Sequence, residues 1–183
     1  MKMNASMADL LEGVEFRVRE EDAPDQFRAV VREGWIMDGE AQLLRALYSG
    51  YSGVGVQEFE DVVHYEATVN GRGMMDYDLP KSGPERRASL LRRSLGYACS
   101  ALLAVPASQR WPALGYVSLS EGGIDGDSLT AHVTFCSRRL ELPAYASDMD
   151  SYMHEALMEI SQEDAAELLR GEGSPRRLPN GFE

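Results

Sequence analysis

Cysteine is nearly absent from this chain of 183 residues: there are two, Cys99 and Cys136, lying in apolar segments at unrelated spacing. A disulfide framework, a CxxC redox pair and a cysteine zinc site are thereby excluded, and both thiols are expected in the interior. Histidine is almost as scarce. Imidazole chemistry has only His64, His132 and His154 to work with. No run of about 18 apolar residues occurs, and MKMNASMADLLEG at the start lacks the apolar core of a signal peptide, so a cytosolic chain with no membrane partner is expected. Positive charge is the other shortage. Lys+Arg number 18 against Asp+Glu 30, a net charge of -12, which repels phosphate backbones and anionic membranes and favours approach to basic surfaces. Nucleic acid is therefore not an expected partner. GxSxG, HExxH, the P-loop and paired CxxC are all missing, so no catalytic residue, cofactor or metal is assigned.

What is present points to one α+β domain: two antiparallel β-hairpins in a sheet packed against a central buried helix, with N-terminal and C-terminal helices. The expected organisation is a flexible N-terminus over 1–14, the domain over 15–171, and a disordered tail over 172–183, where EGSPRRLPNGFE has Pro, Gly and charge without periodicity. Residues 15–20, EFRVRE, alternate as a short strand. Asp22 and Pro24 open a helix through Arg32 that Gly34 ends, and Asp38 caps another carrying Leu43, Leu44, Leu47 and Tyr48 up to Gly50. The glycine-rich YSGYSGVG that follows has neither P-loop spacing nor a full GxGxxG and reads as a connector.

The segment 62–79, VVHYEATVNGRGMMDYDL, alternates strictly and contains Asn70-Gly71, a strong turn signal. It predicts the first hairpin. A three-residue loop matches the apolar faces, setting Tyr65 opposite Tyr77 and His64 opposite Asp78, whereas the two-residue alternative places Asp76 and Asp78 among apolar side chains. His64, Glu66, Asp76 and Asp78 then share the outer face. A helix follows over about 84–104, arginine-rich in its first half and apolar almost all round in its second, with Gly96 implying close approach of another element. Lys81, Ser82, Arg86 and Arg87 at its start form a candidate anion site; the alternative is that these arginines pair with the chain's own acids. Residues 114–120 and 129–136 alternate around a turn-rich loop and predict the second hairpin, with Leu129, Ala131, Val133 and Phe135 facing the core and His132 on the other face. A closing helix is expected from about Asp148 with Met149, Met153, Leu157 and Ile160 in its stripe, and Ser161-Gln162-Glu163-Asp164 restarts a short helix ended by Gly171.

Two functions fit. The first is a small acidic interaction protein that binds a basic protein partner through His64, Glu66, Asp76 and Asp78, in the manner of an inhibitor, antitoxin or immunity protein. The second is a small-molecule-binding domain or enzyme in which His64 or His132 carries a proton on a polar sheet face.

Overall fold

The computed structural model describes residues 1–12, 17–122 and 128–171. Within them the chain is α+β, as expected. Its centre is an antiparallel five-stranded sheet in the order β1-β7-β5-β6-β4, formed by β1 (Lys2–Met3), β4 (Arg72–Gly73), β5 (Ala113–Gly122), β6 (Ser128–Ser137) and β7 (Glu155–Ser161). The second predicted hairpin is present in β5 and β6, with Val117 opposite Val133 and Tyr116 opposite Thr134. Alternation sends Val117, Leu119, Ala131, Val133 and Phe135 to one face, where they meet α5 (Pro84–Leu103) in the main core. That helix is the central one expected: Leu90, Leu91, Leu95, Tyr97 and Leu102 are all buried.

A shorter unit stands beside the sheet. β2 (Trp35–Asp38) and β3 (Ala41–Leu44) make a two-stranded hairpin around Gly39, whose φ of +58° suits the first turn position. This corrects the helix expected from Asp38, of which only α3 (Arg45–Ser49) exists. α2 (Asp25–Glu33) precedes it and ends at Gly34 as read from sequence.

The largest correction falls on 62–79. Residues Val62–Val69 are not a strand but α4, capped by Asp61, whose carboxylate accepts the His64 amide N–H, and ended at Asn70. The reason lies in its surroundings. Val63 and Ala67 pack against the five-stranded sheet, while Tyr65 and Val69 pack against the side of β3. Two i,i+4 stripes offset by two residues reproduce the period of a strand, because the helix is buried on two sides. The predicted pairing of Tyr65 with Tyr77 is therefore absent, and Tyr77 is exposed.

The closing helix from Asp148 is also corrected. Apart from a 3-10 turn at Met149–Ser151, the segment leads into β7, which alternates Ala156, Met158 and Ile160 toward the main core with Leu157 toward the other face. Its helix-forming composition is overruled by pairing with β5 over its whole length. α6 (Gln162–Arg170) begins with the Ser161–Asp164 capping box and ends at left-handed Gly171, as the sequence indicates.

At the other end, the segment 1–12 carries regular structure that joins the sheet. β1 pairs with β7, and buried Asn4 both caps α1 (Ala5–Leu11) and accepts the Leu157 amide N–H at 3.0 Å. The strand read at 15–20 falls partly outside the described residues, and Glu20–Asp22 is a 3-10 turn. The tail from 172 lies outside them too.

Candidate functional site

The four residues of the predicted partner-binding face are not brought together. Glu66 is fully buried, accepting the amide N–H groups of Gln42 at 2.8 Å and Ser137 at 2.6 Å and a guanidinium N–H of Arg139 at 3.1 Å. Arg139 lies 3.6 Å above the Trp111 ring and donates also to the Glu40 carbonyl and the Ser137 hydroxyl. One turn on, Asn70 accepts the Leu44 amide N–H at 2.8 Å and donates to the carbonyls of Gln42 at 3.0 Å and Phe135 at 3.1 Å. These two side chains splice the edge of β3 to the edge of β6. Glu66 is thus an internal joint and has no surface to offer a partner.

Asp76 and Asp78 sit instead on the connector between β4 and α5, each tied to that helix. Asp76 accepts from Arg86, and Arg93 forks onto Asp78 at 2.8 and 2.6 Å while donating to the Met75 carbonyl. The Arg93 hydrogen bonds hold the Asp78 carboxyl below the usual range. The candidate anion site is altered by the same contacts: Arg86 is buried, committed to Asp76 and to the carbonyls of Leu129 and Pro80. Lys81, Ser82 and Arg87 are left exposed without it. Of the arginines in this half of the helix, Arg86 and Arg93 pair with the chain's own acids.

His64 and His132 have different settings. His64 Nδ1 lies 2.9 Å from the Asp61 carboxylate, and its ring is tilted against Tyr145. Burial pushes the Asp61 carboxyl up, but the amide and ring of His64 outweigh it and hold the group below its ordinary value. A charged carboxylate can only accept, so this contact takes a ring N–H on Nδ1. Tyr145 leans on Tyr116, whose hydroxyl donates to Glu159 at 2.7 Å. His132 stands beside Gly71, with desolvation lowering its pKa against the effect of Glu155. Neither cysteine supplies a nucleophile, since burial pushes the Cys136 thiol up and that of Cys99 up to about 12. Among the described residues no group of three or more His, Cys, Asp or Glu side chains has metal-binding geometry.

The concentration of exposed acid lies elsewhere, at a turn not singled out from sequence. Residues 20–25, EEDAPD, hold four carboxylates and no cation. They form the 3-10 turn and the start of α2, and the close seat of that turn on α5 depends on Gly96: a Cβ there would lie 2.7 Å from the Arg19 carbonyl oxygen. Between this acid turn and the connector bearing Tyr77 runs an open cleft of about 510 Å³, lined by Glu21, Asp22, Asp25, Met75 and Tyr77 among others. Two further clefts, of about 330 and 380 Å³, adjoin the same turn and share Glu20. The two cations lining the 510 Å³ cleft are already partnered, Arg28 by Asp25 and Arg93 by Asp78. The nearest cation to the Glu21 carboxylate, Arg19, is 3.8 Å away on an exposed side chain. The sequence signal that marks the site is charge density, four acids in six residues.

No family model, curated protein or solved structure matches this chain.

Proposed function

We propose that this is a small acidic interaction protein that docks a basic protein partner at the acid turn, Glu20, Glu21, Asp22 and Asp25, and the facing Tyr77. The observation that supports this reading is the density of acid beside an open cleft: four carboxylates fall in six residues, and the cations that meet Glu21 and Asp25, Arg19 and Arg28, do so through exposed pairs that solvent screens. The net charge of -12 steers such a partner toward the molecule, and the local arrangement gives it a place to settle. Asp76 and Asp78 flank Tyr77 and contribute field there, although each is tied to an arginine.

The test uses a labelled oligolysine peptide as the cationic probe, titrated into the protein at rising ionic strength. Binding is expected to weaken as the screening length falls to about 8 Å near 0.15 M salt. Glu21→Lys with Asp25→Lys should weaken it much further than the same reversal at the remote exposed residues Glu141 and Asp150. Equal losses from the two pairs would mean that net charge alone attracts the peptide and would remove the acid turn from the function.

A second reading rests on the 2.9 Å contact of Asp61 with His64, which prepares Nε2 to accept a proton from a small molecule. It stands second because no nucleophilic side chain among the described residues is shown within reach of that ring. A folded protein that ignores the cationic probe would favour it.

A further inference from the structure

Independently of the acid turn, we infer that residues 140–148 form a strap over the sheet face opposite α5 that opens as a unit while the sheet and α5 stay folded. The strap belongs to the connection 138–154, which leaves β6 and enters β7 on the two sides of β5 and therefore has to cross β5. Connections beyond about 12–15 residues are uncommon in compact domains, and lids are one of their usual roles. Both ends are fastened. At the first, the Arg138 amide N–H donates to the Pro112 carbonyl at 2.8 Å and Arg139 is held by Glu66; at the second, the Asn4 side-chain amide donates to the Glu155 carbonyl at 2.7 Å and to those of Met149 and Tyr152 at 3.4 Å. Between them, among the described residues, no hydrogen bond or ion pair joins residues 140–147 to another element. None of the strap residues lines the clefts at the acid turn.

Apolar contact is what holds the strap down. Leu142, Tyr145 and Ala146 pack with Tyr116, Cys136 and Leu157 of the sheet in a small cluster separate from the main core. Tyr145 is the clasp, its ring centre 5.1 Å from that of Tyr116 and 5.8 Å from that of His64. A segment with few buried contacts and no hydrogen bonds to the body opens at a smaller cost than the whole fold, because only its own contacts are given up. Lifting it leaves the β5–β6 and β5–β7 ladders and the main core as they are. It uncovers Tyr116 and Cys136 beside the Asp61-paired His64, which widens the approach to that ring.

The two buried thiols report on the opening separately. Cys136 lies in the cluster that the strap covers, whereas Cys99 lies on α5 in the main core, where unfolding of the whole domain is needed to expose it. The experiment labels the native protein with iodoacetamide over a urea series and reads the rate at each thiol by mass spectrometry of the digested peptides. Without urea, Cys136 should react at least about 10-fold faster than Cys99, since local opening is more frequent than global unfolding. Its rate should hardly change at low urea, because a local opening exposes little surface, while that of Cys99 climbs steeply until the two converge near the unfolding midpoint. Tyr145→Ala should raise the Cys136 rate at least about 10-fold without urea by removing the aromatic clasp. Leu140→Ala, at a residue of the same segment that is 97% exposed, should leave that rate unchanged. One shared rate and one urea dependence for both thiols mean that Cys136 is reached by global unfolding alone and overturn the inference. A Cys136 rate unmoved by Tyr145→Ala overturns it as well, and assigns the opening to α4, which packs in the same cluster through Val63 and Ala67.

Discussion

Glu66 and Asn70 are one turn apart on α4 and join backbone groups of β3 to backbone groups of β6, Glu66 through two hydrogen bonds and Asn70 through three, while Glu66 also accepts from Arg139. Backbone edges that would otherwise be buried without partners are satisfied by two side chains. The carboxylate has a second duty, since it neutralises Arg139, whose side chain is as inaccessible as its own. Removing one partner of a buried pair leaves the other charge uncompensated, so Glu66→Ala should destabilise the fold by about 3–5 kcal/mol. Replacing Arg139 by Met in the same protein should recover part of that loss, because the stranded charge disappears. Urea unfolding of the two single variants and the double variant gives the coupling. A cost for Glu66→Ala of no more than about 1 kcal/mol, the range of exposed ion pairs, would show that the joint carries little of the stability.

At the level of elements, Gly96 connects packing to the proposed function. The 3-10 turn at Glu20–Asp22 can lie against α5 only because position 96 has no Cβ. Gly96→Ala gains about 1 kcal/mol of helix propensity but has to push the Arg19 carbonyl away, and overpacking of this kind costs about 1–3 kcal/mol. The expected outcome is a lower melting temperature together with weaker binding of the cationic probe, because the acid turn shifts relative to Tyr77. Unchanged binding in a destabilised variant would detach the turn's position from recognition. The close approach at Gly96 was legible in the sequence, as were α5, the β5–β6 hairpin with its core face, the α6 capping box and the buried thiols. Each of these is governed by a signal local to its own segment. Three of the elements that were misread share one reason: α4, β3 and β7 are buried on more than one side, so their apolar positions no longer report a single period. In α4 two stripes imitate a strand, and in β7 alanine, leucine and methionine imitate a helix until β5 supplies the pairing. The error at α4 carried the predicted site with it. Glu66 turned inward with its helix, whereas Asp76 and Asp78 kept their place beside the exposed Tyr77. The acid turn was readable as composition, yet its pairing with Tyr77 required the α5 scaffold.

For the whole molecule, the excess of acid is a surface property. Arg86 and Arg139 are buried and each meets an acid of its own, so the interior is close to electrically balanced, whereas the exposed surface holds most of the net charge of -12. Among the described residues no helix is long and apolar enough to cross a membrane, and the charge serves recognition in water on the reading given above. It also has a thermodynamic consequence. Like charges held on a compact surface repel one another more than they do along an unfolded chain, and salt screens that repulsion over a length that shrinks from about 30 Å at 0.01 M to about 10 Å at 0.1 M. The melting temperature at neutral pH should therefore rise as sodium chloride is added from low concentration. Binding of the cationic probe should fall over the same interval, because the field that strains the free protein is the one that attracts the peptide. Glu21→Lys combined with Asp25→Lys should reduce both slopes together, since it lowers the net negative charge and reverses two of the four acids of the docking site. Calorimetric melts and peptide titrations on the same salt series test this directly. A melting temperature that drops with salt would mean that exposed ion pairs such as Arg93 with Asp78 outweigh the general repulsion, and the long-range part of the recognition argument would lose its basis.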